Sequence, residues 1–172
     1  MAKKQKIYSE SPEIRAVASD LVKLYYLHLG HVDLETVYFA EIEGEKPERS
    51  PVSEISGVSS PWVRQMMAQL GNYRLYCMGV WVTEWEELSP AQREWLVFDA
   101  LYSVAPSCDG KLRRKDVQEH GIIVELLGGY WRKGIIINDK DLPILRDKEN
   151  PVPIPVPPDP NPDEGSTLGD DE

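Results

Sequence analysis

An aspartate inside a long apolar stretch is the residue of this sequence best placed to do chemistry. Residues 95–104 read W-L-V-F-D-A-L-Y-S-V, and Asp99 carries the one formal charge among them. A buried carboxylate without a partner costs several kcal/mol, so Asp99 must be paired, hydrogen-bonded or neutral. The stretch therefore predicts a specific partner for this side chain.

A second group of polar side chains could hold a metal ion. Asp116, Glu119 and His120 fall within five residues of one predicted helix, and together with Asp99 they are the candidate ligands of a divergent metal site. Carboxylate and imidazole groups are ordinary metal ligands. The alternative is a solvated helical face, and we favour it.

The remaining histidines and cysteines form no familiar catalytic or metal-binding pattern. His28 and His31 are three residues apart, but Gly30 ends the helix that would align them, which favours surface or helix-end positions. Cys77 and Cys108 have no C-x-x-C spacing, so they indicate neither a disulfide framework nor a thiolate metal site. A reducing cytoplasm is the expected location.

Two features could form a binding surface. Residues 111–115 hold four bases in five positions and could contact nucleic acid or an acidic partner. Four charges give only modest, salt-sensitive binding, so a structural role is favoured over nucleic-acid recognition. Trp62 lies in a loop-rich region, and exposed aromatic side chains are common interface anchors. Trp62, Arg113 and Arg114 are the candidate interface residues.

The composition favours one folded domain. The 172 residues are 41% hydrophobic and include five Trp, enough for one core. There are 29 acids and 19 bases, and six acids but no base lie in residues 151–172, which leaves a net charge of −4 for the first 150 residues. This balance argues against a domain built to grip phosphate backbones. No apolar segment follows the basic N-terminus, so neither secretion nor a membrane partner is expected.

The element that carries Asp99 is predicted to be a buried helix. Ser89 and Gln92 form a capping box around Pro90, so the helix begins at Pro90. After one polar turn it is apolar on every side, which is typical of a helix inside a domain. The apolar run of about ten residues is too short to cross a bilayer.

The other elements are predicted from the same kinds of signal, namely periodicity, caps and turn residues. These signals predict a helix over 12–29, strands over 34–42 and 73–82, a long loop over 43–60, a short helix over 62–70 and a helix that begins at 116. Gly79 within the second strand suggests a bulge or a close backbone approach.

The C-terminal residues are predicted to form a tail. Residues 150–172 are rich in Pro and then in acids, and lack the apolar content to fold. We therefore divide the chain into a flexible lead at 1–10, a domain at 11–149 and a disordered tail at 150–172. Deleting the tail is expected to leave the melting temperature nearly unchanged.

The order of these segments resembles the putative phage metallopeptidase family, a zincin-like group. The resemblance covers roughly residues 11–132, and its most specific parts are W-E-E-L-S-P-A-Q-R at 85–93, the apolar helix, D-G-K-L-R at 109–113 and K-D-V-Q-E at 115–119. In that family a similar segment precedes a helix bearing H-E-L-x-H. The resemblance implies an α+β zincin-like domain, with a short sheet packed on a central buried helix.

The departures from the family pattern concern the metal site. Alignment on Leu101 puts Asp99 and Ser103 at the two His positions and Ala100 at the Glu position. The third ligand position, the His of a later His-Asp element, is Lys115, a cation that would repel a metal ion. A zincin helix needs the two His to hold Zn²⁺ and the Glu to act as general base.

A register one residue earlier would place Phe98, Asp99 and Tyr102 at these positions instead. Neither register leaves a zinc site. The resemblance thus implies the fold and argues against the activity, so we expect no catalytic residue and no zinc cofactor.

These observations predict a catalytically inactive protein that serves a phage or prophage as a binding or accessory module, with an unknown protein as partner. One alternative is a metal-dependent hydrolase with a divergent metal site. Another is a protein that interacts through its tail. The resemblance also predicts that an ion pair between Asp99 and Lys115 replaces the metal crosslink, with Ser103 donating a hydrogen bond to the Asp99 carboxylate.

Overall fold

The computed structural model describes residues 7–48, 50–71, 74–113, 123 and 142–156. Within these ranges the chain forms a mixed α+β fold with a four-stranded sheet. In chain order the elements are β1 (Ile7–Glu10), α1 (Pro12–Leu24), α2 (Tyr26–Leu29), a 3₁₀ turn (Leu34–Thr36), β2 (Val37–Glu43), β3 (Ser53–Gly57), α3 (Pro61–Leu70), β4 (Tyr76–Trp81), α4 (Val82–Glu86) and α5 (Pro90–Tyr102).

The sheet has the strand order β1-β2-β4-β3. The two central strands, β2 and β4, are parallel, and each edge strand pairs antiparallel with its neighbour. Strand β3 is therefore an edge of the sheet formed by the described residues. The register that places its Ile55 opposite Met78 fixes which side chains turn toward each face.

Helices cover both faces of the sheet. On one face, Phe39 and Met78 pack with α1 and α5 in the main core. On the other face, Tyr38 and Cys77 pack against Met66 of α3. Because successive strand residues point to opposite faces, strands covered on both sides read as continuous apolar runs. Strand β4 is buried at all six positions for this reason.

The first predicted helix begins where expected and is interrupted near its end. The Ser11 hydroxyl accepts a hydrogen bond from the Ile14 amide, which confirms the predicted cap. Helix α1 ends at Leu24, and Tyr25 has non-helical backbone angles (φ −113°, ψ 43°) before α2 begins. The prediction of one continuous helix over 12–29 is therefore wrong at Tyr25, a buried residue whose hydroxyl bonds to the C-terminal part of the chain.

Two predictions for residues 34–60 are corrected. The strand predicted from residue 34 begins only at Val37, because the Asp33 carboxylate accepts from the Glu35 amide and caps a 3₁₀ turn. The segment 43–60, predicted as a loop, contains β3. A five-residue strand with one large apolar residue has little signal of its own, and its pairing with β4 is what stabilises it.

The next two predicted elements, a helix and a strand, are both present, but their first or last residues differ from the prediction. Helix α3 ends before Gly71, which takes the left-handed conformation (φ 63°). Strand β4 is shorter than predicted, because Val82 already begins the short helix α4. Both ladders continue through Gly79 without an extra residue, so no bulge occurs there.

The central helix α5 matches its prediction closely. It begins at Pro90, and the capping box is complete, with the Gln92 side chain accepting from the Ser89 amide at 2.7 Å. Eleven of its thirteen residues are buried, which confirms the prediction of a helix inside the domain. Asp99 is only 1% exposed.

Residues 142–156, which we call the C-terminal strap, cross the ends of α1 and α5. Leu145 is fully buried and Ile154 is 8% exposed, both in the main core. The Val152 amide donates to the Tyr25 hydroxyl at 3.2 Å. The expectation that residues from 150 onward leave the domain is thus wrong for residues 151–156, because Ile154 finds an apolar site among the helices.

Several predictions lie outside the described residues. They are residues 1–6 of the flexible lead predicted at 1–10, the helix that begins at 116 and the tail from residue 157. For residues 7–10 the prediction of a flexible lead is wrong, because Ile7–Glu10 form β1 and pair with β2. In the described ranges, no helix is both long and apolar enough to cross a membrane.

Candidate functional site

A cleft of about 230 Å³ opens between the edge strand β3 and the central helix α5. This volume is below the ~300–1,000 Å³ of typical small-molecule sites, so it suits one or two side chains rather than a whole cofactor. The residues that line it, from the segment around β3, from α5 and from the chain after α5, are Pro51, Ser53, Glu54, Ile55, Asp99, Ala100, Ser103, Leu112 and Arg113.

Helix α5 and its C-cap residue, Ser103, present three of the sequence-predicted site residues to this cleft. Asp99, Ala100 and Ser103 occupy positions i, i+1 and i+4, and the first and last lie one helical turn apart on the same side. The Ser103 hydroxyl donates to the main-chain carbonyl of Asp99 at 2.8 Å. The prediction that this hydroxyl donates to the Asp99 carboxylate is therefore wrong, since its single proton is used on the backbone.

The alternative alignment register uses Phe98 and Tyr102, which face the main core and not the cleft. Phe98 is fully buried and lies at the centre of an aromatic cluster. Its ring stacks on that of Tyr102, with 6.1 Å between the ring centroids. It meets the rings of Tyr25 and Trp95 edge to face, with centroid distances of 5.6 and 5.9 Å. These side chains fill the core between α5 and the first two helices, so Phe98 and Tyr102 contribute to packing.

The β3 wall of the cleft was missed at the sequence level. Ser53, Glu54 and Ile55 were placed in the predicted loop, where no role was assigned to them. The weak signal that could have found them is Ile55 between the polar residues Glu54 and Ser56, the alternation of a half-buried strand. Gly57 ends the strand so close to the Gly110 carbonyl that a side chain would clash there.

The chain that follows α5 holds Arg113 at the edge of the cleft. Its amide donates to the Ser103 carbonyl at 2.7 Å, next to the bridge between Val104 and Leu112. Its Nε donates to the Val104 carbonyl at 3.1 Å. The guanidinium lies over the Tyr102 ring at 4.4 Å, a cation–π contact. Arg113, predicted as an interface residue, is thus both anchored and adjacent to the cleft.

Each of the two helix-end histidines forms a hydrogen bond to a main-chain carbonyl that is distant in the sequence. His31 Nε2 lies 3.0 Å from the Val104 carbonyl and 3.4 Å from Arg113 Nη2. Because a carbonyl can only accept, the Nε2 proton belongs in the bond to Val104. Burial, and secondarily the positive charge of Arg113, hold the pKa of His31 below its ordinary value. His28 is 7% exposed and donates to the Pro155 carbonyl, so it is a buried residue rather than a surface one.

Lys111 and Asp109 form an exposed ion pair at the predicted Asp-Gly turn. Lys111 Nζ lies 2.8 Å from Asp109 Oδ2. This hydrogen bond raises the pKa of Lys111 and lowers that of Asp109. The Gly110 amide donates to the Tyr76 hydroxyl at 2.8 Å, and this bond attaches the turn to the sheet.

The two cysteines have different environments. Cys77 is fully buried, and burial raises the pKa of its thiol to about 12, which agrees with its assignment as a small core residue. Cys108 is half-buried in the loop after α5, with its sulfur 3.5 Å from the Thr36 hydroxyl.

Six of the predicted site residues cannot be placed. Trp62 lies in α3, but its side chain is not among those described. The other five are outside the described residues altogether: Arg114, Lys115, Asp116, Glu119 and His120. The ion pair between Asp99 and Lys115 and the divergent metal site therefore stay predictions.

The arrangement is that of a mixed α+β domain whose central helix lies beneath an antiparallel edge strand. Residues 6–139 match the family model described as putative phage metallopeptidase. The match covers more than half of the chain, so the protein belongs to this family. Searches of curated proteins and of solved structures gave no match.

The described residues of the cleft do not fit a zinc ion, the metal that zincin-like peptidases require. Protein zinc sites use His, Cys and carboxylate ligands in sets of three or four. The cleft offers the carboxylates of Asp99 and Glu54, together with the cation of Arg113. Across the described ranges, no three His, Cys, Asp or Glu side chains are grouped so that they could hold a metal.

Proposed function

We propose that this protein binds an extended segment of another protein in the cleft between β3 and α5 and does not hydrolyse it. The observation that carries the proposal is the set of residues that α5 presents to the cleft. Asp99, Ala100 and Ser103 stand there in the spacing that a zincin uses for His, Glu and His. The three together cannot do the chemistry, because Ala100 has no group to act as general base and Ser103 offers only a neutral hydroxyl in place of the second His.

Family membership supports a zincin-like assignment for this domain, with the alignment on Leu101. That alignment is the one whose three substituted positions line a single cleft, whereas the alternative uses two residues of the aromatic core. A metallopeptidase cleft without its metal ligands keeps the shape for a polypeptide and loses the hydrolytic step.

The geometry of the cleft favours an extended polypeptide as the bound molecule. Among the described residues, strand β3 pairs on one side only, and such an edge can add a strand from another chain through main-chain hydrogen bonds. Beside this edge, Ile55, Ala100 and Leu112 give the cleft an apolar part large enough for a partner side chain. We therefore infer a role as a phage or prophage accessory protein that recognises another protein.

A divergent metal-dependent hydrolase is the competing proposal. It would use Asp99 with Asp116, Glu119 or His120, all four of which the sequence places after the capped start of α5. Metal analysis of protein purified without chelator separates the two. Stoichiometric zinc together with peptidase activity would contradict a pure binding role.

Binding itself can be tested with a displayed library of random dodecapeptides selected against the full chain. Selected peptides are then titrated against two variants with the same substitution, Leu112→Trp at the cleft and Leu27→Trp on α2. Leu112 is 37% exposed and Leu27 is 79% exposed, so both can accept a larger side chain. A ring at Leu112 should weaken binding roughly tenfold or more, whereas Leu27→Trp should leave it unchanged.

Mass spectrometry of the incubated peptides completes the experiment. Intact peptides are expected after prolonged incubation with the protein. If no peptide binds, or if both leucine variants bind as the unaltered chain does, this cleft is not the site of recognition. Cleavage of the bound peptides would also contradict the proposal, and its loss on addition of a chelator would support the metal-dependent hydrolase instead.

A further inference from the structure

The main-chain groups of β3 alternate between the ladder to β4 and the outer edge of the strand. The Val52 carbonyl accepts from the Trp81 amide at 3.0 Å, and the Val58 amide donates to the Leu75 carbonyl at 2.9 Å. In an antiparallel pair every second residue bonds to the same neighbour, so the even-numbered residues of β3 bond to β4. The N–H and C=O groups of Ile55 therefore point away from β4, toward the outer edge.

The side chains of β3 also alternate, and this places two neighbouring residues on different faces. Ile55 packs against the main core, on the face that carries α1 and α5. Glu54 lies on the opposite face, where its Oε1 accepts from the Ser56 hydroxyl at 3.4 Å. Ile55 is half-buried and Glu54 is exposed, so another chain at this edge can contact both side chains.

Glu54 is also the carboxylate of the cleft lining that a partner can reach. The other lining carboxylate, that of Asp99, is 1% exposed. The lining base Arg113 is held against other groups, because its Nε donates to the Val104 carbonyl and its guanidinium lies over the Tyr102 ring. None of the ion pairs between described residues includes Glu54. The edge thus carries a negative charge directly beside an apolar position.

We propose, building on the proposed function, that the segment bound at this edge is an antiparallel strand with an apolar residue opposite Ile55 and a Lys or Arg opposite Glu54. The residue opposite Ile55 exchanges main-chain hydrogen bonds with it and places its side chain in the cleft, beside Ala100 and Leu112. The basic neighbour faces Glu54 in a pair without main-chain bonds, where antiparallel side chains approach most closely. Opposite charges directly across two strands attract.

The charge of the protein favours a basic partner and argues against a second copy of this strand. The net charge of the chain is −10, which attracts a basic segment over a distance. Strand β3 itself reads S-E-I-S-G and contains no base. Pairing between two copies of β3 therefore supplies no cation for Glu54, whereas a basic strand of another protein does.

Peptides selected against the full chain provide the test. In a peptide whose binding is weakened by Leu112→Trp, each Lys or Arg is replaced in turn by Gln, and affinities are measured for the unaltered chain and for Glu54→Gln. One replacement, next to the apolar anchor residue of the peptide, should weaken binding to the unaltered chain about two- to fivefold. The same replacement should not affect binding to Glu54→Gln, because the carboxylate that pairs with the base is absent.

Charge reversal at the same position gives a larger effect. Glu54→Lys should weaken binding of the basic peptide roughly tenfold or more, because like charges then face each other. It should also bind the derivative with Glu at the key position better than the unaltered chain does. Glu87→Lys is the matched control, since it changes the net charge equally at an exposed residue after α4. This control should leave the preference for a basic peptide in place.

The outcomes separate this proposal from the proposed function. Peptides that bind at Leu112 without any dependence on Glu54 overturn the charge pairing and leave the proposed function intact. Equal effects of Glu54→Lys and Glu87→Lys also overturn it, because the attraction is then non-specific. If no peptide binds, both proposals are wrong. Hydrogen exchange of the free protein adds one check: an Ile55 amide protected as strongly as those of β4 would show that the protein's own chain already occupies the edge, which contradicts strand addition.

Discussion

Glu94 and Arg146 join the central helix to the C-terminal strap through two hydrogen bonds to one buried carboxylate. Glu94 is 2% exposed, and its Oε1 accepts from Arg146 Nε at 2.7 Å. Its Oε2 accepts from the Arg146 main-chain amide at 3.1 Å. Arg146 also reaches Asp20 of α1 at 3.4 Å, so one side chain connects both helices to the strap. The hydrogen bond to Glu94 raises the pKa of Arg146.

Replacing Arg146 with alanine should destabilise the protein strongly. The substitution would leave the Glu94 carboxylate buried without its charged partner, and removing one member of a buried pair costs about 3 kcal/mol or more. Lys148→Ala, an exposed position two residues away, is the control and should change stability by less than about 0.5 kcal/mol. Urea denaturation of both variants measures the difference, and equal stabilities would show that the Glu94–Arg146 contact is not significant in solution.

The strap should contribute to stability through Ile154. Because this side chain is 8% exposed within the core, Ile154→Ala in the full chain should cost about 2 kcal/mol. Val156→Ala is the matched control, since Val156 is 56% exposed. Thermal denaturation should show a lower melting temperature for the first variant only. An unchanged melting temperature for Ile154→Ala would restore the original expectation that the whole C-terminal segment is dispensable.

His31 should make the protein less stable in mild acid. Burial holds the pKa of His31 below 6.5 in the folded state. The unfolded chain therefore takes up a proton at a higher pH than the folded chain does, and stability falls as pH drops from the unfolded pKa toward the folded one. His31→Gln can keep the donor to Val104 but does not titrate. Denaturation between about pH 8 and pH 5 should show a smaller loss of stability in this variant, and parallel curves would exclude His31 as the cause.

Restoring only the general base should not restore peptidase activity. Ala100 is 4% exposed, so Ala100→Glu adds a second carboxylate beside Asp99 in a buried helix and should lower the melting temperature. The informative variant combines Asp99→His, Ala100→Glu, Ser103→His and Lys115→His. Zinc uptake measured by elemental analysis of this variant would support the alignment on Leu101. Uptake that does not depend on Lys115→His would place the third ligand elsewhere.

Breaking the predicted pair between Asp99 and Lys115 should also be costly. Asp99 is 1% exposed, so Lys115→Ala should destabilise the protein by roughly 3 kcal/mol if the pair is buried. An exposed pair would contribute about 1 kcal/mol or less. Urea denaturation of Lys115→Ala, of Asp99→Asn and of the double variant measures the coupling energy between the two side chains. Additive effects of the two substitutions would show that these residues do not interact.

The sequence alone determined the elements whose signals are local. The capping box at Ser89 and Gln92 marks the start of α5, and Gly71 marks the end of α3, because both act through backbone bonds and angles within a few residues. The burial of α5 also followed from its apolar surface on every side. Family membership could likewise be inferred from segments whose order is a property of the chain itself.

Only the tertiary structure decided which residues form the cleft and which contacts attach the C-terminal strap to the domain. Strand β3 exists through its pairing with β4, and Ile154 is buried because helices distant in sequence leave an apolar site for it. The hydrogen-bond partners of Glu94 and His31 lie 52 and 73 residues away, at Arg146 and Val104. Such contacts form because the whole chain brings these side chains together and excludes water from them, and no pattern within a short window of sequence contains that information.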